Sequence, residues 1–388
     1  MFSKNISRRG SGSYKWDTTV LDNSIENGAY PLSVADMEFR TPKEVREAIK
    51  NFAENGFFCY TDSDTAYRDA VREFMERRHS FQIENDWIVC TGGVVFAINT
   101  AIRSFTEKGD KVIIQSPVYY PFKNSIENNG RIVADNPLVK VDNTYEMNFE
   151  ELESIASQKD VKLMLLCSPH NPVGRVWTKE ELQRVGDICL KNNVVLLSDE
   201  IHFDILRKGH EHTVINNVDD RFSNNTVICT AVSKSFNLAG LGTSNIIIAD
   251  NALREKFKQQ LSADGYSCIN CVSRPATIAA YTKCDYWLDE MNAYVDENIA
   301  LVKSYIDRIP QVYMSECQGT YLVWLDMRAL NMDDDELDLF LRNKCGIIQD
   351  PGFWFGVNGK GFTRLNVACP RDILENCMIK LTDAVKNL

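Results

Sequence analysis

Long apolar segments are missing from the sequence, and their absence excludes one class of protein at the outset. A helix that crosses a bilayer needs about 20 consecutive apolar residues, and no such run occurs in the 388 residues. Residues 1–17 are polar and basic, and they lack the apolar stretch of a signal peptide. We therefore expect a cytoplasmic protein with no membrane partner.

Basic charge is also in short supply. The chain has 43 Lys and Arg residues against 54 Asp and Glu residues, and its formal net charge is -11. Nucleic-acid-binding proteins usually present a basic surface, so this balance disfavours a nucleic-acid partner. It leaves room for a local basic pocket that binds one small anion.

The cysteines and histidines form no framework for disulfides or a metal. Twelve cysteines are scattered along the chain, which favours a reducing cytoplasm and mostly buried free thiols. The single CxxC, Cys268 to Cys271, has no second pair, so core packing is favoured over zinc or redox chemistry. His210 and His212 lack a further ligand at metal spacing, and we interpret them as surface residues.

What the sequence does contain indicates a globular protein with two domains. Hydrophobic residues make up 44% and charged residues 25%, which is ordinary for globular proteins. The length exceeds what one core comfortably holds. We predict an N-terminal segment (1–45) that packs with the small domain, a large domain (46–284) and a small C-terminal domain (285–388).

The middle of the chain alternates apolar runs with amphipathic stretches, the pattern of repeated βα units. Several of the runs are apolar throughout, as a sheet covered on both faces requires. Strands are predicted at 87–90, 111–115, 162–167, 193–198, 226–231 and 244–249. Helices are predicted at 94–104, 120–128, 179–192 and 251–263. The C-terminal part mixes helices (287–308, 336–343 and from 371) with strands (321–326 and 363–366), which indicates a smaller α+β domain.

Residues of types that take part in ligand binding or catalysis follow five consecutive predicted strands. In open α/β sheets ligands bind beyond the carboxyl ends of the strands, so these residues are expected to meet at one edge and form a site. They are Thr91-Gly92-Gly93, Ser116 to Tyr120, Ser168 to Gly174, Asp199 to His202, and Ser233 to Asn237.

Lys234 is the central candidate. A lysine just past an apolar strand usually extends to solvent, and this reading would prevail for the residue alone. Lys234, however, lies within an otherwise apolar stretch. A lysine in a dry pocket has a lowered pKa and becomes a nucleophile for an aldehyde.

Asp199 and Arg364 each have a plain and a functional interpretation. Asp199 ends an apolar run, so it is either a helix cap or loop carboxylate, or the partner of a protonated ring nitrogen in a cofactor. Arg364 lies in a predicted strand of the small domain. It forms either a surface ion pair or a two-bond clamp for a substrate carboxylate.

Aromatic and glycine residues complete the set. Tyr119 and Tyr120 are either packed aromatics or a ring that stacks on a flat cofactor beside a hydroxyl that relays a proton. Gly92 and Gly93 precede a predicted helix, where backbone N–H groups can approach a phosphate. Many βα loops contain glycine, so this signal is weak.

Taken together, these motifs resemble those of a known family. The set resembles fold-type I pyridoxal-phosphate (PLP) enzymes, the class I/II aminotransferase superfamily, and within it the MalY/PatB group of cystathionine β-lyases. The resemblance spans nearly the whole chain in the right order. The motifs that carry it are Asn171-Pro172-x-Gly174, Asp199-Glu200-Ile201-His202, Ser233-Lys234-x-Phe236-Asn237, Arg364-x-Asn366, Val34 to Phe39, Tyr119 to Phe122 and Asp350-Pro351-Gly352.

The resemblance implies a PLP-dependent transferase fold, with a mixed, mostly parallel sheet in the large domain, and a homodimer with shared active sites. Lys234 would bind the cofactor covalently and remove the α-proton, and Tyr120 or Lys234 would protonate the departing sulfur. Arg364 and Ala35 would bind the substrate. The remaining cofactor-binding residues implied are Gly92, Gly93, Val94, Tyr119, Asn171, Asp199, His202, Ser233 and, from the other subunit, Tyr60.

One departure from the family pattern bears on the activity. Many aminotransferases carry an arginine for the phosphate eight residues after the lysine, and here that position is Gly242. This glycine argues against an ordinary aminotransferase, and the resemblance to the MalY/PatB group implies a β-lyase that cleaves cystathionine or cysteine-type substrates to a thiol, pyruvate and ammonia. The alternatives are an aminotransferase, which shares every step up to loss of the α-proton, and a regulatory or interaction protein on the same fold. Retention of Lys234, Asp199 and Arg364 disfavours the last.

Overall fold

The computed structural model of the protein describes residues 2–18 and 28–388, and strands and helices alternate through most of this length. The strands are β1 (Tyr30–Pro31), β2 (Ile88–Thr91), β3 (Lys111–Ile114), β4 (Ile132–Asp135), β5 (Val139–Val141), β6 (Thr144–Glu146), β7 (Val161–Cys167), β8 (Val195–Asp199), β9 (Thr226–Thr230), β10 (Ser244–Ile247), β11 (Tyr313–Met314), β12 (Leu322–Asp326), β13 (Ile347–Ile348), β14 (Asp350–Pro351) and β15 (Phe362–Asn366). The helices are α1 (Lys43–Asn55), α2 (Thr65–His79), α3 (Val94–Phe105), α4 (Pro121–Asn128), α5 (Phe149–Ala156), α6 (Lys179–Lys191), α7 (Val232–Ser235), α8 (Asn251–Ala263), α9 (Ser273–Lys283), α10 (Asp285–Ile306), α11 (Asp334–Asn343) and α12 (Arg371–Lys386).

The largest sheet has seven strands in the order β2-β10-β9-β8-β7-β3-β4. Strand β10 runs antiparallel to both of its neighbours, and the other pairs are parallel. The predicted mixed, mostly parallel sheet is therefore confirmed. Six of its strands lie within two residues of the predicted bounds, and the edge strand β4 was not predicted.

Both faces of this sheet are covered, because apolar residues alternate between two separate core clusters. Val112 and Ile114 of β3 belong to one cluster, and Ile113, between them, belongs to the other. Strands β8 and β9 are buried almost throughout. This arrangement places the ends of the parallel strands beneath the loops that carry the candidate site residues.

A second, antiparallel sheet is built from the C-terminal part in the order β11-β12-β15-β14. Helix α10 packs against α12 beside it. Strand β1 pairs in parallel with β13, with Tyr30 opposite Ile347, so the N-terminal segment contacts this part of the chain. Residues 19–27 of the predicted N-terminal segment lie outside the described residues, and the domain limits 1–45, 46–284 and 285–388 stay a prediction.

Residues 33–39 connect the second sheet to the loop after α7 through hydrogen bonds to both. The Val34 N–H donates to Asp350 at 3.0 Å, and the Asn366 amide donates to the Val34 carbonyl at 2.7 Å. On the other side, Asn237 exchanges two hydrogen bonds with the Met37 backbone. Val34 has a positive φ of 54°, an uncommon conformation for a β-branched residue. Within the described residues, no helix has the combined length and apolarity that crossing a membrane requires.

Candidate active site

A cavity of about 210 Å³ lies where the loops after the central strands meet residues 33–39. Each of the five predicted strand-end segments contributes at least one residue to its lining, and the segment after β3 contributes Tyr119. The structure thus brings together residues that are far apart in sequence. The predicted site residues in the lining are Ala35, Gly92, Gly93, Val94, Tyr119, Asn171, Asp199, His202, Ser233 and Lys234.

Lys234 is held on the short helix α7, directly after β9. Its Nζ donates to the carbonyl of Ala35 at 2.9 Å. Burial lowers the pKa of Lys234; the charge of Asp36 opposes this effect and that of Arg364 adds to it. Because the lowered pKa enlarges the neutral fraction of the amine, the side chain is suited to act as a nucleophile and base.

A buried polar network fixes the helix that carries Lys234. The hydroxyl of Ser235 donates to Asp204, and the ring of His79 forms a 2.8 Å hydrogen bond with the same carboxylate. The His79 ring also stacks on Phe203 at 4.1 Å between centroids. The neighbour of Lys234 is therefore anchored to two other elements, which limits the positions that the amine can adopt.

Asp199 ends β8 as a buried carboxyl group that forms no ion pair within the described part of the chain. Its one hydrogen bond there is from the Ile201 N–H, at 3.2 Å. Burial raises the pKa of Asp199 to about 7, and the charge of Lys234 only partly offsets this rise. A buried carboxylate without a cation is unfavourable, so this position is suited to a ligand that supplies a positive N–H.

Asn171 is oriented by Arg364, which lies behind it on β15. The Arg364 Nη1 donates to the Asn171 Oδ1 at 2.9 Å. A guanidinium can only donate, so the amide oxygen must face it. The Asn171 NH₂ group is consequently the end that is left for a ligand in the cavity.

Arg364 itself is almost fully buried, at 2% exposure, and is bound on two sides. Its Nε donates to Asp350 at 3.1 Å, its Nη2 donates to the same carboxylate oxygen, and its guanidinium lies 4.8 Å from the Phe355 ring centroid. Asp350 belongs to the Asp350-Pro351-Gly352 motif but is not among the predicted site residues. Asp350 is a site residue because the register of β14 and β15 places it opposite Arg364.

His202 contributes an unpartnered polar atom. The side chain is buried, and its Nδ1 has no hydrogen-bond partner among the described residues. Burial lowers the pKa of His202 well below the usual range, and the charges of Lys234 and Arg364 act in the same direction. The ring is therefore neutral at physiological pH and can form a hydrogen bond to a ligand oxygen.

The loop before α3 forms a cradle of backbone at one end of the cavity. Gly93 caps the helix with φ 109° and no side-chain cap, so the first N–H groups of α3 are available. A Cβ on Gly92 would come within 3.3 Å of the Tyr266 ring. Ser233 and Gly242 line the same cavity. Helix N-termini of this kind bind phosphate groups, and the described lining of this one includes no arginine.

Tyr119 and Tyr120 are adjacent in the sequence but line different cavities. Tyr119 lines the cavity of Lys234, whereas Tyr120 lines a neighbouring, larger cavity and packs against Trp354 at 5.8 Å. Burial raises the pKa of Tyr120, and the charge of Asp350 adds to the rise. The phenol therefore keeps its proton at neutral pH.

Tyr60 lies apart from the cavity of its own chain. It is 96% exposed and does not line that cavity. Phe57 and Phe58 beside it are 77% and 64% exposed. We call these three side chains the aromatic patch.

The interpretation of His212 as a surface residue is wrong. Its side chain is 1% exposed and forms a 2.8 Å contact with the equally buried Glu200. The polar loop around it gave no sign that the ring turns inward to a carboxylate on another segment. The prediction of mostly buried free thiols is confirmed: all twelve cysteines are free, and eight of them are buried.

A mixed α/β sheet with a buried lysine, an unpaired aspartate and a backbone cradle at the ends of its strands defines a class of enzymes that act on a bound small molecule. The chain belongs to the family described as aminotransferase class I and II, which residues 28–379 match. Cystathionine beta-lyase PatB of Bacillus subtilis is 39% identical over 385 residues, 99% of each chain. Protein MalY of Escherichia coli is 32% identical over 388 residues, 99% of this chain and 98% of the relative.

A solved structure agrees with these relatives. The chain resembles cystalysin from Treponema denticola, a structure that contains a pyridoxal 5'-phosphate cofactor, with a TM-score of 0.95 and 40% identity. The match covers 100% of this chain and 99% of the other. The predicted membership in the fold-type I superfamily and in the MalY/PatB group is confirmed.

Proposed function

We propose that the protein is a PLP-dependent carbon–sulfur β-lyase that cleaves cystathionine or related cysteine conjugates. The observation that carries the proposal is the buried amine of Lys234, with its lowered pKa, in a cavity that also holds the unpaired Asp199. The relatives give the reaction class: the chain is 39% identical to a cystathionine β-lyase over nearly its whole length.

The residues of the cavity fit the cofactor. The Asp199 carboxylate would hold a protonated ring nitrogen, and the unpartnered Nδ1 of His202 and the free NH₂ of Asn171 would bind a phenolic oxygen. Bound PLP withdraws electrons from the α-carbon of an amino acid and so makes its proton acidic. The other groups that would hold PLP are the α3 N–H groups after Gly92 and Gly93, including that of Val94, together with Ser233, the Tyr119 ring and, as covalent anchor, Lys234.

Each step of the proposed reaction is carried out by a different group of this chain. Arg364 binds the substrate α-carboxylate, for which its guanidinium exchanges part of its contact with Asp350. The Ala35 carbonyl, which accepts a hydrogen bond from the Lys234 Nζ, orients that amine when it is not bonded to the cofactor. The Lys234 amine removes the α-proton. The Tyr120 phenol, which keeps its proton at neutral pH, gives that proton to the departing sulfur.

The atoms balance as a hydrolytic elimination. The Cβ–S bond breaks, and the sulfur leaves with its electron pair and a proton as a thiol. The three-carbon remainder gains water and loses ammonia, which yields pyruvate. Cystathionine would give homocysteine, and cysteine would give sulfide.

An assay without a keto acid tests this function. We expect the purified holoenzyme to produce pyruvate and free thiol from cystathionine in equal amounts when no acceptor is present. Lys234→Ala should abolish both products and the borohydride-reducible link between chain and cofactor, while Lys50→Ala, an exposed lysine, should change neither. Product formation that requires an added keto acid would reject the lyase.

The same assay examines the one competing activity that an observation favours. The matched family contains aminotransferases by its description, and every residue used up to removal of the α-proton would serve transamination as well. The position of Gly242, where many aminotransferases have a phosphate-binding arginine, argues against it. An amino product formed from the added keto acid would identify transamination.

The state of the protein in the cell is part of the proposal. Twelve free cysteines support a reducing, cytoplasmic location. The exposed aromatic patch supports a homodimer, because large apolar side chains that water surrounds on one chain are commonly covered by another. In that dimer Tyr60 would contribute to the phosphate end of the partner's cavity.

A further inference from the structure

The larger cavity beside that of Lys234 has no role in the steps described above other than to border Tyr120. Its volume is about 610 Å³. Val34 and Tyr120 line it, and their chain neighbours Ala35 and Tyr119 line the smaller cavity. The two cavities therefore share two stretches of wall.

One buried side chain joins them. Asp350 lines the larger cavity and Asn171 lines the smaller one, and Arg364 binds both. A substrate whose α-carboxylate binds Arg364 thus lies at the junction. The part of the substrate beyond the sulfur has the larger cavity beside it.

The α11 side of the larger cavity is acidic. Asp334, Asp335 and Asp338 line it, and Arg342 is the one basic side chain among the described lining residues. Arg342 forms an ion pair with Asp338 at 3.0 Å, and Asp334 accepts a hydrogen bond from the Gly361 N–H. The exposed carboxylate of Asp335 has no such partner among the residues that the structure describes, so three carboxylates against one guanidinium leave negative charge for a ligand to neutralise.

The part of the cavity wall that Ser33, Phe353 and Trp354 form adds two further features. Phe353 and Trp354 are 39% and 44% exposed, so their rings are open to the cavity. Ser33 is only 3% exposed, and its hydroxyl has no hydrogen-bond partner in the described part of the chain. Ser33 lines the cavity, so rotation of its side chain would bring this unpartnered hydroxyl to a ligand that supplies the missing bond.

Acidic groups, open aromatic rings and an unpartnered hydroxyl together fit a cation on an apolar stem. An ammonium group is attracted by carboxylates and by ring faces, and it donates to a hydroxyl oxygen. An anionic group would meet repulsion from the same wall.

We propose that the larger cavity is the subsite for the leaving thiol and that it selects thiols carrying a protonated amine. The proposal rests on the lyase function and deepens it, because it names the substrate class: cysteine conjugates with a cationic group a few bonds beyond the sulfur. Asp335 is the specificity residue, and Ser33 is a second contact.

Three conjugates of similar size test the charge preference: S-(2-aminoethyl)cysteine, S-(2-hydroxyethyl)cysteine and S-(carboxymethyl)cysteine. These thiols differ as leaving groups, so the decisive quantity is the change in relative kcat/KM between wild type and variant. We expect Asp335→Asn to lower the cation-to-anion ratio by about fivefold, the effect of one ion pair near a surface. Asp335→Lys should lower the ratio further, and 1 M salt should lower it in the wild type.

Asp220→Asn is the matched control, since Asp220 is an exposed carboxylate outside this lining. A ratio that is the same in all four proteins would overturn the proposal. Dissociation constants of the three conjugates, from quenching of tryptophan fluorescence in the holoenzyme, separate the subsite from the reaction. A cation preference that depends on Asp335 but comes without pyruvate would support the subsite and reject the lyase; equal dissociation constants would reject the subsite.

Discussion

Lys234 and Asp199 are both buried, and burial shifts their pKa values in opposite directions. It lowers the pKa of the lysine and raises that of the aspartate to about 7, so each group is displaced toward its neutral form. This is the expected response of charges that have lost their water. A ligand with a positive N–H beside Asp199 would restore the charged carboxylate, and the chain is therefore built for an occupied site.

Asp199→Asn should make the cofactor-free protein more stable at pH 8, although it impairs function. Because the pKa of Asp199 is higher folded, about 7, than in the unfolded chain, near 3.8, the folded state binds more protons between these values. Stability from this group is fully present below the lower pKa and is lost as pH rises through the upper one. At pH 8 the free energy of unfolding of the Asp199→Asn variant should exceed that of the wild type by up to roughly 4 kcal/mol, because one pKa unit corresponds to about 1.4 kcal/mol.

Urea unfolding of the cofactor-free proteins at pH 5 and pH 8 measures this difference. The advantage of the Asp199→Asn variant over wild type should shrink toward pH 4, and Asp220→Asn, at an exposed position, serves as the control. With cofactor bound, the Asp199→Asn variant should lose about a hundredfold or more in kcat/KM, since it no longer stabilises a positive ring nitrogen. Equal stability of variant and wild type at both pH values would contradict the assignment.

Among the elements, Gly186 of α6 shows how helix preference and packing oppose each other. A Cβ on this glycine would lie 2.2 Å from Cζ of Phe222, a side chain with no exposed surface. Alanine in a helix is normally favoured over glycine by about 1 kcal/mol. Here the collision should reverse the sign, so that Gly186→Ala destabilises the protein by about 1–3 kcal/mol.

The measurement for this prediction is the midpoint of urea unfolding. Phe222→Leu should remove much of the penalty, so that the double variant is more stable than the sum of the single effects. Gly240→Ala serves as the control, because a Cβ there has no heavy atom within 4 Å. Gly186→Ala with wild-type stability would show that the Phe222 ring moves aside freely.

The elements that the sequence predicts well are the buried ones. A strand covered on both faces, such as β7 or β8, is apolar throughout and is recognisable from its residues alone. The edge strand β4 is short and only partly buried, with Ile132 50% exposed, so no apolar run marks it. The hairpin of β5 and β6 was not predicted for the same reason.

Some site residues could likewise be predicted from the sequence and others could not. Residues at strand ends, such as Asp199 and Lys234, could be predicted to meet because parallel strands bring their carboxyl ends to one edge. Asp350 and Ser33 could not, because their roles depend on contacts between residues 33–39 and the second sheet. The hydrogen bond from Val34 to Asp350 joins residues 316 positions apart, and no local pattern encodes it.

For the whole molecule, the exposed position of Tyr60 bears on whether one chain makes a complete site. The cavity of Lys234 contains nearly all the groups that we propose hold PLP, yet Tyr60 of the same chain is 96% exposed and does not line it. In a two-fold dimer the same patch of each chain faces its partner. The aromatic patch would then be covered, and each Tyr60 would serve the site of the other chain.

Mixed dimers test this sharing directly. Lys234→Ala and Tyr60→Ala should each have little activity as pure proteins, and both should sediment as dimers. When the two are unfolded together and refolded in equal amounts, about half of the dimers are mixed, and each mixed dimer has one site with both residues intact. Activity should therefore recover to about a quarter of wild type. If Tyr60 acted within its own chain, every site of a mixed dimer would lack either Lys234 or Tyr60. Mixing the two variants would then restore no activity.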